Sequence, residues 1–290
     1  MLCRISNFYI VTFLNFYIMN FFKNSFRSVG ESLGLKVEMF EDRLVVCAPF
    51  WKRALSTDST FCDALVACGI LTQKQMEHAA RRYRLGASKS RGVIFWQIDH
   101  EERIHNGKIM YYRDDCHRDK EHKPTWVSYL LQKRHRFPDN PPCSHTLFGL
   151  HLLPSNSPLG PGPFRRFSQK LTSGARPRCA VVEAEKTAVI LSEMYPQYLW
   201  LATGGLGETQ PEKFRPLRGC EVILFPDTDP DGIAFKRWTD AAAEVNRQLW
   251  WEGCPKICVS DLLERCATQE QKCRKIDLAD FYLETVCQTD

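Results

Sequence analysis

Val222-Ile-Leu-Phe-Pro-Asp227-Thr-Asp229-Pro-Asp231-Gly232 decides the fold of this chain. An apolar run, Val222 to Phe225, ends in two carboxylates one residue apart, then a glycine, then a helix-like segment. That order places acids at the carboxyl end of a buried parallel strand, where open α/β sheets hold their ligands. Upstream, Cys179-Ala-Val-Val-Glu183-Ala-Glu185-Lys186 repeats the plan, with a short strand opening onto an acid and a helix. Between them, Leu199-Trp-Leu-Ala-Thr203-Gly204-Gly205 is a third strand running into a glycine turn. Three strand ends therefore bring Glu183, Thr203 with Gly204, and Asp227 with Asp229 to one sheet edge.

Clustered carboxylates repel one another, and burying them without a counter-charge is costly. A hard cation such as Mg²⁺ or Mn²⁺ resolves that conflict, commonly with substrate phosphates completing its shell. An isolated Asp-x-Asp would read as an acidic turn. The matching Glu183 and the glycine turn on neighbouring strands favour a metal site.

These residues resemble the Toprim domain of bacterial primases, topoisomerases and related nucleases. The resemblance rests on Val182-Glu183-Ala-Glu-Lys-Thr-Ala188, Ala202-Thr-Gly-Gly205 and Phe225-Pro-Asp227-Thr-Asp229-Pro-Asp-Gly232. It differs from the family pattern at Ala184, where glycine is usual, at Thr187, where many primases carry aspartate, and at Pro226. The resemblance implies a Rossmann-like parallel sheet of about four strands with flanking helices. It further implies Asp227, Asp229 and Glu183 as metal ligands, with Glu183 alternatively a general acid or base. Lys186, Thr203 and Gly204 would contact phosphate.

The preceding segment also resembles a primase core, in which a small basic α+β subdomain comes before Toprim. Tyr83-Arg-Leu-Gly86, Val93-Ile-Phe-Trp-Gln-Ile-Asp99, Asn106-Gly-Lys108 and Leu147-Phe-Gly-Leu150 follow that order. Gly92–Asp99 and Lys108–Arg113 read as a hairpin with one face buried and the other presenting Lys108 and Arg113. Arg91, Lys108 and Arg113 are the candidate phosphate contacts of this half. Trp96 is expected in the core. No zinc-binding module is apparent, and no zinc is expected.

Charge supports two halves. Residues 1–178 carry 27 Lys and Arg against 15 Asp and Glu, whereas residues 179–290 carry 12 against 19. A basic half beside an acidic one suits a polyanion held by one and processed at the other. Thirteen cysteines, odd in number and scattered over 290 residues, read as reduced thiols of a cytoplasmic protein rather than a disulfide scaffold. Cys116-His117 with His122 is the most metal-like cluster, and it lies in a charged loop.

In chain order, residues 1–24 form an apolar extension. Residues 5–22 approach the length of a membrane span, but Asn7, Asn15 and Asn20 interrupt them, so an extension or packed helix is expected instead. Residues 25–153 form the basic subdomain, with Ser25 to Arg84 mostly helical, a capping box at Thr72–Gln75 and a short helix over Thr125–Lys133. Residues 154–177 read as a linker rich in Pro, Gly and Ser. Residues 178–260 are the Toprim-like unit, with a helix over Asp231–Trp251 and a fourth strand at Lys256–Val259. Residues 261–290 close the chain with short helices. The function expected is Mg²⁺-dependent nucleotidyl or phosphoryl transfer on single-stranded DNA, primase-like, of a plasmid, phage or other mobile element. Nucleotides and a replicative helicase are the implied partners. A Toprim nuclease and a non-catalytic nucleic-acid-binding factor are the alternatives.

Overall fold

The computed structural model describes residues 36–40, 43–47, 55–135, 145–153, 176–249 and 255–286. The apolar stretch 5–22 and most of the expected linker, 154–175, lie outside them. Among the described residues, no helix is long and apolar enough to cross a membrane.

The fold is mixed α/β with one antiparallel and one parallel sheet. It starts with a hairpin, β1 (Lys36–Phe40) and β2 (Arg43–Cys47), where the sequence predicts mostly helix. The correction has a local cause. Val37, Val45 and Val46 are β-branched and flank the short polar link Glu41-Asp42, a strand-and-turn composition. Helices α1 (Thr60–Ala67) and α2 (Gln73–Tyr83) follow. Thr72 and Gln75 form the expected reciprocal capping box of α2.

Strand β3 (Gly86–Ala87), β4 (Val93–Ile98) and β5 (Ile104–Met110) extend the antiparallel sheet, and β6 (Thr125–Trp126) pairs with β5 before α3 (Val127–His135). The sheet order is β1-β2-β5-β4-β3, with β6 on β5. Trp96 faces Gly107 in register, and a Cβ on Gly107 would meet the indole at 2.7 Å. The glycine thus admits the ring, which is 1% exposed.

Counting alternately from Gly107 puts Lys108, Met110 and Tyr112 on the opposite face, beside buried Phe95. That face packs toward the parallel sheet. Lys108 therefore does not stand on a solvent face as the hairpin reading predicts; β4 is buried on both faces. Phe148 bridges to Ala202, and a 3₁₀ turn covers Leu150–Leu152.

The second sheet contains β7 (Arg178–Val182), β8 (Leu199–Ala202), β9 (Glu221–Phe225) and β10 (Cys258–Val259), all parallel, in the order β10-β9-β7-β8. Helix α4 (Glu185–Met194) crosses from β7 to β8, α5 (Pro211–Phe214) lies before β9, and α6 (Ile233–Leu249) follows it. Short helices α7 (Leu262–Cys266), α8 (Gln269–Arg274) and α9 (Leu278–Val286) follow.

Both faces of the parallel sheet are covered, which explains its nearly continuous apolar strands. On one face Ala180, Val182 and Trp200 join Phe61, Tyr83, Phe95 and Phe148 of the first half in a single core. On the other, Cys179, Val181, Leu201 and Leu224 pack with Trp238 of α6 and Phe214. Tyr83 fastens the two halves together. Its hydroxyl donates to the Trp200 carbonyl at 2.8 Å and its ring stacks on Phe148 at 5.0 Å.

Candidate functional site

Register explains why the acids converge. Val182 is level with Ala202 on one side and Phe225 on the other. The residues that follow, Glu183, Thr203 and Pro226-Asp227, therefore leave the sheet side by side. The Thr203 N–H donates to the Val182 carbonyl, and the Gly204 N–H to the Glu183 carbonyl at 2.9 Å, holding the two loops together. A cleft of about 930 Å³ opens there, lined by Glu183, Asp227, Gly204, Lys186, Lys108 and Arg113, among others.

Six of the nine residues singled out in the sequence thus share one cleft. The other three lie elsewhere. Thr203 is fully buried, and its hydroxyl donates to the Gly205 carbonyl at 3.2 Å, shaping the glycine turn. Arg91 is paired with Asp58 and Asp63, away from the cleft. Asp229 is turned toward the start of α6. One of its oxygens accepts from the Asp231 and Ile233 N–H groups, and the other from Ala234 at 2.7 Å. Burial opposes its charge, but those three donors prevail and hold its pKa below the usual value.

The cleft also receives residues that the sequence did not flag. The Thr228 N–H donates to the Ile276 carbonyl, fastening the acidic loop to the segment before α9. Asp277, from that segment, and Asp280, in the first turn of α9, enter the cleft. Lys186 donates to Asp280 at 3.0 Å and lies 3.7 Å from Asp277, while Thr187 donates to Asp277 at 2.5 Å. Burial works against the Lys186 charge, yet the two aspartates outweigh it and hold its pKa above normal. Lys186 is thus a half-buried counter-ion to the two aspartates.

Lys108 spans the two sheets, donating to Glu185 at 3.0 Å and to the Gly204 carbonyl at 2.8 Å. The other Glu185 oxygen, Oε1, is buried without a hydrogen-bond partner. Arg118, Lys120, Arg274 and Lys275, with the acidic Asp119 and Glu121 among them, complete the wall. Cys116 is buried, whereas His117 is exposed and His122 is hydrogen-bonded to Asp119.

Burial raises the pKa of Asp227 well above the ordinary carboxylate value, and repulsion from Asp277, Glu183 and Asp280 adds to it. Glu183 is raised too, chiefly by burial. An all-oxygen donor set, in which Asp227 and Glu183 have raised pKa values and one Glu185 oxygen is unsatisfied, fits a hard divalent cation. Among the described residues, no three acidic, histidine or cysteine groups already form a metal-holding cluster.

The raised pKa of Asp227 has a consequence for stability. Between the unperturbed 3.8 and the raised native value, the folded state binds more protons than the unfolded state. This contribution therefore grows as pH falls through that window and is lost as pH rises through the native value. Asp227→Asn is accordingly expected to melt higher than wild type at neutral pH without metal. The difference should shrink as pH falls, as read by thermal denaturation over a pH series. A difference independent of pH would show that the pKa of Asp227 is not raised in the folded protein.

Comparison with curated protein sequences gave no match. Among solved structures, the primase fragment of the bacteriophage T7 primase-helicase protein is similar at 14% identity, with a TM-score of 0.40. The similarity covers 72% of this chain and 66% of the phage chain, just under two thirds of it. The profile of one family matches residues 59–160 and 168–228, more than half of the 290 residues. The chain belongs to that family, whose description is Domain of unknown function (DUF6371).

Proposed function

We propose that the chain is a primase-like, Toprim-type protein that carries out Mg²⁺-dependent nucleotidyl transfer on single-stranded DNA. One observation carries this reading: three parallel strand ends deliver Glu183, Gly204 and Asp227 to a cleft whose remaining lining carries Lys108, Arg113, Arg118, Lys120, Arg274 and Lys275 against Asp119 and Glu121. A polyanion is drawn to such a lining, and its reacting phosphate is brought to the acidic edge. Asp227 and Glu183 would hold Mg²⁺, with Glu185, Asp277 and Asp280 near enough to balance its charge. The ion, when bound, supplies charge neutralisation on phosphate oxygens.

The remaining work belongs to the chain. Helix α4 has Ala184 at its N-cap with no side-chain cap, so its first-turn N–H groups point a positive dipole end at the cleft. Lys108 places an ammonium beside Gly204, within the same space. If Asp227 holds the ion without it, Glu183, with its pKa raised, is instead suited to accept a proton from an attacking hydroxyl. Asp229 rigidifies the loop by capping α6, and so fixes the direction of Asp227.

The test is incubation of purified protein with single-stranded DNA, Mg²⁺ and labelled nucleotides, followed by gel analysis. Labelled oligomers that require Mg²⁺ and vanish in Glu183→Gln are the expected result. Shortened template with no new oligomer would instead establish a nuclease. Binding without either product would establish an accessory factor.

A further inference from the structure

We infer that Trp126, backed by His145, is a nucleobase-stacking shelf at the glycine-turn end of the cleft. This rests on the nucleic-acid reading above and adds to it a contact that reads bases instead of phosphates. Trp126 is the direct cross-strand partner of Lys108. The two side chains therefore share a face of the sheet, with Cβ atoms about 5 Å apart. From that position Lys108 reaches the Gly204 carbonyl. The indole is thus within about one nucleotide's length of the place where phosphate would sit, by the same cross-strand spacing.

The indole is held firmly. The Asn106 side chain donates to the Ser128 hydroxyl at 3.0 Å and accepts from the Ser128 N–H at 3.2 Å, pinning the junction of β6 and α3 onto β5. The His145 ring lies 4.4 Å from Trp126 at 31°. Glu208, 3.7 Å from His145, is itself tied to Lys213 and to the Gly205 carbonyl, so the backing ring is anchored to the glycine turn. Both aromatic rings stay partly exposed, unlike Trp96 and Trp238, which are sealed in the cores. Around Gly205 the space is open: an added Cβ would meet nothing closer than Glu208 at 3.9 Å. A sugar-phosphate backbone can pass there while its base lies against the indole. A shelf of this kind is sequence-tolerant, because every base offers a π-face.

The experiment is fluorescence anisotropy with a labelled oligothymidine and an abasic oligonucleotide of equal length and charge. Wild type is expected to prefer the oligothymidine by about 5- to 150-fold for one stacked base. Trp126→Ala should bind both alike, at the abasic level, while Trp126→Phe keeps part of the preference. Lys108→Ala should weaken both oligonucleotides and leave their ratio unchanged. Equal wild-type affinity for the two, or a preference that survives in Trp126→Ala, overturns the shelf while leaving the nucleic-acid reading intact. Binding of neither oligonucleotide overturns both. Should Trp126→Ala fail to fold, the wild-type comparison and Trp126→Phe still decide.

Discussion

Asp227→Asn is expected to lower Mg²⁺-dependent oligomer synthesis by about 10³-fold or more, with the fold unharmed. The size follows from the several kcal/mol that a metal contributes to stabilising phosphoryl charge, since every 1.36 kcal/mol is tenfold in rate. The amide is isosteric with the carboxylate and removes one charge from a repelling group, so the metal-free protein should be no less stable. Asp229→Ala is the informative contrast. Its carboxylate satisfies three N–H groups at and just before the start of α6, so its loss should act through the loop and helix, costing about 0.5–2 kcal/mol as caps do. Gel quantification of product together with melting curves separates the two. Equal activity in wild type and Asp227→Asn would remove Asp227 from the chemistry.

Lys186→Met should cost about 3–5 kcal/mol of stability at neutral pH, the usual penalty for breaking a buried ion pair by removing one partner. Lys186 is 14% exposed and sits against Asp277 and Asp280, while Asp227 is close enough to be repelled by both. Without its ammonium, the cleft holds an unbalanced cluster of carboxylates. Asp280 is 29% exposed, so solvent softens part of the loss and the lower end of the range is expected. Adding Asp277→Asn to Lys186→Met should recover some of it. Urea denaturation provides the measurement. A change within about 0.5 kcal/mol, the ordinary effect of a surface substitution, would mean that Lys186 is not the counter-ion.

The parallel sheet was legible because each strand announces itself twice, as an apolar run and as the loop that follows. Strands buried on both faces cannot alternate, and Cys179–Val182, Leu199–Ala202 and Val222–Phe225 do not. Their shared end at Glu183, Gly204 and Asp227 follows from parallel register. Asp277 and Asp280 were not legible. They lie about fifty residues beyond Asp227 and reach the cleft through the Thr228–Ile276 contact, which no local pattern records. The nearest sequence signal was Asp277 followed by Asp280 at one helical turn, indistinguishable from a helix start.

Lys108 shows a different limit. Its strand was clear, but which face it takes depends on a glycine admitting Trp96, and a shift of one residue inverts every side chain. Asp229 read in the sequence as a ligand alone. The three backbone donors around it are visible only once α6 begins at Ile233. Trp126 read as part of a short helix, whereas pairing with β5 makes it the neighbour of Lys108.

Calorimetric titration of Mn²⁺ into the metal-free protein tests the central claim most directly, because it asks for the ion itself before any chemistry. Wild type should take up Mn²⁺ with saturable heat, and Asp227→Asn and Glu183→Gln should each lose most of that affinity. The Arg91→Ala protein, altered away from the cleft, should bind as wild type does. Unchanged Mn²⁺ affinity in Asp227→Asn would contradict the claim and place any metal elsewhere.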